Sequence, residues 1–293
     1  MQAGRARTGE HFATAVSALE TDYWEHLCSA LGHDSEKWPQ LGAAASRADR
    51  SGSFFNNATV TRPLGDSALG PALDQIDKYF TIGDNRRREF SINSYWPDLD
   101  LTGHGYRIRD RLPVMLRPAA GRPPESPEAL IIRCVDDADG VAAFEKVFIE
   151  SFSLAEYRPH RRGILFDQRI VRDPKCKFWV GWENGHPVAC VTAFVAHGYV
   201  GVFNTAVLPS ARRKGYGAAM TWCATFADPA LPAVLQATVE GESLYRSMGY
   251  STVGTFTSWH RRRRSPGALL SRAARVLGPV RRGLFRDTRG PFI

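Results

Sequence analysis

Residues 206–220 read AVLPSARRKGYGAAM. An apolar, strand-like run ends at Pro209, and a basic turn carrying Gly215 and Gly217 opens directly into a helix-like run. A helix start exposes backbone N–H groups that lack intrahelical partners, and it carries a partial positive charge. Both suit a phosphate. Glycine at 215 and 217 lets a ligand approach the backbone closely. Arg212, Arg213 and Lys214 add positive charge, and the small Ala218 keeps the first turn uncluttered. The segment reads as a cradle for a pyrophosphate. It is not a P-loop, because no Gly-Lys-Ser/Thr follows at the right spacing, and it lacks the third glycine of a dinucleotide fingerprint.

The sequence around the cradle alternates between strand and helix patterns. LIIRCV (130–135) is a short apolar strand. Residues 136–152 follow at helical spacing, with Asp137 or Asp139 as the cap. CKFWVGWENGHPVACVTAFVA (176–196) reads as two strands about Asn184-Gly185, a pair suited to a turn of positive φ. YVGVFNTAVLP (199–209) is the next strand, 212–226 a helix, 233–239 a strand, 243–247 a short helix and 250–259 a final β segment.

Arg212, Gly215 and Gly217 form the pattern R-x-x-G-x-G. It resembles the acyl-CoA-binding motif of the GNAT superfamily of N-acyltransferases. About thirty residues further on, ATVEGESLYRSMGYSTVGTF (237–256) resembles the strand, helix and last β region of that family. Its core is Leu244, Tyr245, Gly249 and Tyr250. The resemblance covers residues 130–261. It implies acetyl-CoA, or a related acyl-CoA, as cosubstrate and no metal. It implies binding by the strand Ala206, Val207 and Leu208 and by the loop Arg212, Arg213, Lys214, Gly215, Tyr216, Gly217 and Ala218. The expected activity is transfer of the acyl group to a primary amine by direct attack on the thioester. The resemblance further implies Tyr245 as general acid to the leaving thiolate and the Val207 N–H as a donor to the carbonyl oxygen. A tyrosine of ordinary pKa is protonated at neutral pH and fits the first role. Glu240, Glu242, Asn204, Thr205 and His197 are candidate bases that the sequence does not rank.

Two short matches point to an internal repeat. GYRIRDRLPVMLR (105–117) aligns with GYSTVGTFTSWHR (249–261), and FNNA (55–58) aligns with FNTA (203–206); the offsets are 144 and 148 residues. PAAGRPPESP (118–127) has the composition of an extended linker. The expected fold is therefore α/β (α+β), a tandem GNAT-like fold with two mixed central sheets flanked by helices. Residues 1–120 form a degenerate first domain, 128–261 the catalytic domain and 262–293 a basic amphipathic tail. Where the second half has ARRKGYG, the first has TRPLGDSALG, in which Pro63 interrupts the turn and Asp66 repels a phosphate. One working site is expected, with the first half walling the acceptor pocket.

The net charge of +8 resides in the tail. Residues 261–293 hold ten arginines and one aspartate, leaving the body at −1. Three readings of the tail compete: burial of its apolar stripe on the enzyme, contact with an anionic membrane surface, or contact with nucleic acid or an acidic partner. The last is disfavoured by the scarcity of stacking aromatics. The five cysteines, an odd number, lack metal or redox spacing and read as free thiols of a reducing cytosol. No run approaches the ~18 apolar residues of a membrane span. The expected location is cytoplasmic, with possible peripheral membrane contact through the tail. The acceptor, a small-molecule or protein amine, and the oligomeric state stay open. Two other functions compete with the enzyme: a non-catalytic acyl-CoA sensor or scaffold, and a membrane- or partner-docking protein acting through the tail.

Overall fold

The computed structural model describes residues 2–47, 54–82, 86–87, 89–152, 154 and 157–261, with side chains throughout except at 2–8, 82 and 86–87. The readings attached to the basic tail, 262–293, lie outside the described residues. The chain opens with a long helix, α1 (Gln2–Ala30). The strands β1 (Ser35–Trp38), β2 (Ala43–Ser46) and β3 (Asn57–Val60) follow, then α2 (Asp66–Tyr79). A small ribbon, β4 (Thr81–Ile82) and β5 (Arg86–Arg87), precedes β6 (Ser91–Ser94) and β7 (Tyr106–Arg117). The second half comprises β8 (Ile131–Cys134), α3 (Ala138–Ser151), β9 (Cys176–Glu183), β10 (His186–Ala196) and β11 (Tyr199–Val207). It ends with α4 (Tyr216–Thr225), β12 (Ala233–Gln236), α5 (Val239–Ser247) and β13 (Ser251–Arg261).

Local chemistry explains the boundaries. Asp137 caps α3, its carboxylate accepting from the Gly140 N–H at 2.7 Å. Val141, Phe144, Val147 and Phe148 then bury one stripe of that helix. Asn184 and Gly185, at φ 50° and 77°, make the turn between β9 and β10. Two expected elements shift. The helix expected from 212 begins at Tyr216, because Arg213 and Gly215 take left-handed φ values of 62° and 80°. The short helix expected at 243–247 starts earlier, at Val239, where Thr238 caps it by accepting from the Gly241 N–H at 3.2 Å.

The expected two sheets are one. Eleven strands run β1-β2-β3-β6-β13-β7-β12-β11-β10-β9-β8. The joint arises because the final strands are exchanged. β7, which ends the first half, pairs with β12 of the second, and β13, which ends the second half, pairs with β6 of the first. The exchange is symmetric. β12 lies against residues 117–114 as β6 lies against residues 260–257. The repeat offset of 144 equates Leu112 with Phe256, and these two residues face each other where β7 and β13 pair. The longer sequence repeat thus coincides with a pseudo-twofold axis of the fold.

Side chains follow the exchange. Met115 on β7 is fully buried in the second-half core, whereas Phe256 and Trp259 on β13 are buried in the first-half core. Helix α1 lies across β2 and β3 on one side and β10 and β11 on the other. Residues 1–261 consequently form one compact unit. Among the described residues no helix is long and apolar enough to cross a membrane. Replacing a buried Trp by Ala typically costs about 3–5 kcal/mol. Trp259→Ala is therefore expected to destabilise both halves together by about 3–5 kcal/mol, read as one shifted cooperative transition in urea. Two separated transitions would contradict the shared cores.

Candidate functional site

The second half contains a strand edge left open. β11 pairs with β10 along its length, but with β12 only at Val200–Ala233 and Gly201–Val234. Among the described residues, 202–207 have no ladder partner on that side. Asn204, at φ 54°, bulges the strand where the β10 register shifts between Cys190 and Thr192. Past the bulge the Leu208 N–H donates to the Val188 carbonyl at 2.9 Å. Antiparallel alternation then turns the Val207 N–H and carbonyl to the opposite, open edge. The Val207 carbonyl accepts from Arg212 Nε at 3.2 Å.

The open edge runs into the basic turn. Gly215 is the N-cap of α4 and supplies no side-chain cap. Among the described residues, the first amide near this start with a helical acceptor is Ala219, donating to the Gly215 carbonyl at 3.1 Å. The N–H groups of Tyr216, Gly217 and Ala218 therefore lack helical partners. At Gly217 an added Cβ would meet nothing nearer than Val207 Cγ2 at 3.8 Å and Leu244 Cδ2 at 3.9 Å. Packing therefore does not require glycine there, and its absent side chain leaves the space in front of the amides clear.

A cleft of about 650 Å³ extends from Ala206 and Val207 along the turn to Tyr245. Eight of the ten expected cofactor-binding residues line it. The other two, Leu208 and Lys214, do not. Leu208 packs on the core beneath, and the Lys214 ammonium is held by Glu183 at 2.9 Å. Tyr216 contributes backbone, since its ring is buried and its hydroxyl donates to the same Glu183. The positive charge left at the cleft is that of Arg212 and Arg213.

Tyr245 stands on α5 at the far wall. A Cβ on Gly241 would come within 2.8 Å of its ring, so glycine at 241 makes room for the tyrosine. The ring packs edge-on to Tyr250, with centroids 6.1 Å apart. Burial raises the Tyr245 pKa above the usual value, opposed by the hydroxyls of Thr221 and Thr205. The phenol thus keeps its proton at neutral pH and can donate it.

The candidate bases disperse. His197 sits in a turn with Nε2 2.8 Å from Asp22, and Glu242 is paired with Arg246 at 2.6 Å. Asn204 donates to the Tyr23 hydroxyl, while Thr205 and Glu240 line the cleft. A carboxylate not singled out from the sequence stands nearby. Glu20 of α1 is 3% exposed and lines a second cavity of about 390 Å³, whose wall shares Phe152 and Thr238 with the first. A lone glutamate in a long helix reads as a surface charge. The missed signal is its spacing: Val16, Leu19, Tyr23 and Leu27 form the buried stripe, and position 20 falls inside it.

The equivalent edge in the first half is closed. The match of FNNA to FNTA equates Asn57 and Ala58 with Thr205 and Ala206. Asn57, Ala58 and Thr59 pair in parallel with Ser91, Ile92 and Asn93 of β6. Five residues, 61–65, link β3 to α2, where eight, 208–215, link β11 to α4. Arg62 folds back, donating to the Gln40 carbonyl at 2.9 Å.

Residues 141–250 match the model of the acetyltransferase (GNAT) family. No curated protein matches the chain in sequence. Its fold is similar to that of a GCN5-related N-acetyltransferase from Kribbella flavida, with a TM-score of 0.63 and 21% identity, over 89% of this chain and 98% of that one. It is also similar to a functionally unknown conserved protein from Staphylococcus epidermidis ATCC 12228, with a TM-score of 0.53 and 12% identity, over 79% and 94% of the two chains. The open strand edge and the uncapped helix start thus fall in or beside the stretch that matches the GNAT acetyltransferase family, residues 141–250, within a GNAT-like fold.

Proposed function

We propose that the protein is an acyl-CoA-dependent N-acyltransferase, with acetyl-CoA as the expected donor and a primary amine as acceptor. One observation carries the reading. The unpaired edge of β11 and, across an eight-residue link, the unpartnered amides at the start of α4 line one cleft, two sets of donors matched to an amide-bearing arm ending in a pyrophosphate. In this reading the pantetheine arm adds to β11 at 205–207. The pyrophosphate rests on the amides of 216–218, with Arg212 and Arg213 beside it. The half spanning 128–261 works, and the half spanning 1–120 completes the fold.

The amine nitrogen attacks the thioester carbonyl carbon. Negative charge gathers on the carbonyl oxygen and is stabilised by the Val207 N–H. The C–S bond then breaks, and the sulfur takes a proton from the Tyr245 hydroxyl. The ammonium form of the acceptor loses two protons overall: one restores Tyr245 and the other leaves to solvent. The amide and the free thiol are the products.

A sensor would need the cradle but not the acid. Tyr245→Phe separates the two readings, with unchanged acetyl-CoA affinity and a fall in kcat of about 10²-fold expected for the enzyme; an unchanged kcat would remove Tyr245 from the chemistry. Calorimetric titration with acetyl-CoA tests the cleft itself. Gly217→Trp should abolish binding, and binding that survives it would contradict the proposed site. Gly217→Ala is the structural control. Because the position has room and an ordinary φ, this variant is expected to keep or raise stability by about 0.4–1 kcal/mol in thermal unfolding, whereas a large loss would mean that the glycine serves packing.

A further inference from the structure

Two deeply buried carboxylates in this molecule invite comparison. Glu145 is fully buried and saturated: it accepts from His160 Nε2 at 2.8 Å, from the Gly163 N–H at 2.9 Å, from the Phe166 N–H at 2.8 Å and from the Leu165 N–H. It pins a loop, and nothing is left for a ligand. Glu20 is as deeply placed but half satisfied. Asn93 Nδ2 and Trp24 Nε1 both donate to Oε1, at 3.0 and 3.3 Å. Oε2 is buried and receives no hydrogen bond of good geometry; the Tyr95 hydroxyl and the Gln236 amide, themselves bonded at 2.6 Å, stand beside the carboxylate. A buried carboxylate oxygen without a donor is costly unless something else supplies one.

The cavity in front of Glu20 shows what that is. It is assembled by both halves: α1, β6 and β7 from the first, β11, β12 and β13 from the second. Aromatic rings make much of its wall, among them Trp24, Phe54, Phe152, Phe203 and Phe256. Asn204 faces this cavity while its neighbour Thr205 faces the acyl-CoA cleft, so the two spaces meet at the β11 bulge. The charged and titratable groups facing the cavity are Glu20 and Tyr23 on α1 and the ion-paired Arg109 and Asp110 on β7, with Tyr95 beyond β6 next to the Glu20 carboxylate.

Resting on the acyltransferase reading, we infer that this cavity is the acceptor site, that it takes a monoamine on an apolar, ring-sized body, and that Glu20 holds the ammonium and removes its proton. The ammonium donates to Oε2, and one N–H proton passes to that oxygen. The freed lone pair then forms the C–N bond, and Glu20 returns its proton to solvent after the amide leaves. Burial raises the Glu20 pKa to about 7, against the pull of Tyr95, Trp24 and Asn93, which suits proton exchange near neutrality. With Asp110 already paired to Arg109, Glu20 is the one lining carboxylate without a cation, which disfavours a polyamine, whose further charges would stay unpaired.

The test uses the full chain, saturated with coenzyme A so that no turnover occurs, and titrates it with 2-phenylethylamine and with spermine. Below its pKa Glu20 is protonated and cannot pair with an ammonium. Affinity of the wild type for 2-phenylethylamine should therefore rise about tenfold between roughly pH 6 and pH 8. Glu20→Gln should weaken binding at least about tenfold near pH 8 and flatten the profile. A raised carboxyl pKa also means that native stability falls as pH rises from the unfolded value toward 7. The Gln variant, which buries no charge, should accordingly melt no lower than the wild type at pH 8. A merely structural Glu20 predicts the reverse. Acetyl-CoA affinity, titrated separately, should be the same in both proteins. If acetyl-CoA fails to bind the wild type, the acyltransferase reading fails at the cleft. If it binds, then failure of 2-phenylethylamine to bind, a flat wild-type pH profile, equal affinity in Glu20→Gln, or tighter binding of spermine overturns the acceptor proposal. The wild-type profile alone decides if the variant does not fold.

Discussion

A β-strand exposes hydrogen-bonding groups on two edges, and both must be satisfied or solvated. In β11 that requirement is met on the β10 side and broken after Gly201 on the β12 side. The strand itself continues through the break, pairing with β10 on both sides of the Asn204 bulge, up to Phe203 and again at Ala206 and Val207. The break begins where β12 parts from β11 after Gly201, two residues before β12 ends at Gln236, and the Asn204 bulge lies within it. The site as proposed depends on this single unpaired edge. It gives a bound arm something to add to, aims the Val207 N–H into the gap, and delivers the chain to the α4 start at the right end of the cleft.

The exchange of β7 and β13 determines what surrounds the edge. Because each half lends its last strand to the other, the halves share cores. The space beside the pseudo-twofold axis is lined by both. Leu112 and Phe256, the residues nearest that axis, line the cavity in front of Glu20. In the proposed reading a half with a closed edge and a five-residue turn still has a role: it contributes the wall, the long helix and the carboxylate. In that reading, duplication followed by loss of one cradle accounts for both sequence matches.

Much of this was legible from residues alone. R-x-x-G-x-G after a strand, together with the Leu-Tyr and Gly-Tyr pairs, located the cleft, because close backbone approach can be met only by particular residues at particular places. The Asn184-Gly185 turn and the Asp137 cap were readable for the same reason. The repeat predicted two related halves. It did not predict that two sheets would join, since strand exchange is decided by which edge a strand finds and leaves no local mark. Lys214 looked like a phosphate ligand because charge is visible in sequence, whereas its Glu183 partner, thirty-one residues away, is not. Glu20 was missed for the opposite reason: a charged residue inside an apolar stripe is easily taken for a surface residue until the stripe's contacts are known.

The central claim is that the β11 edge and the α4 start form one ligand-binding line and that the corresponding β3 edge does not. Residue-resolved amide hydrogen exchange with and without acetyl-CoA tests it directly. The account predicts slowed exchange at Val207 and at residues 216–218, with the amides of β3 and the first turn of α2 unchanged. Protection at β3 and α2, or none along β11, would contradict it.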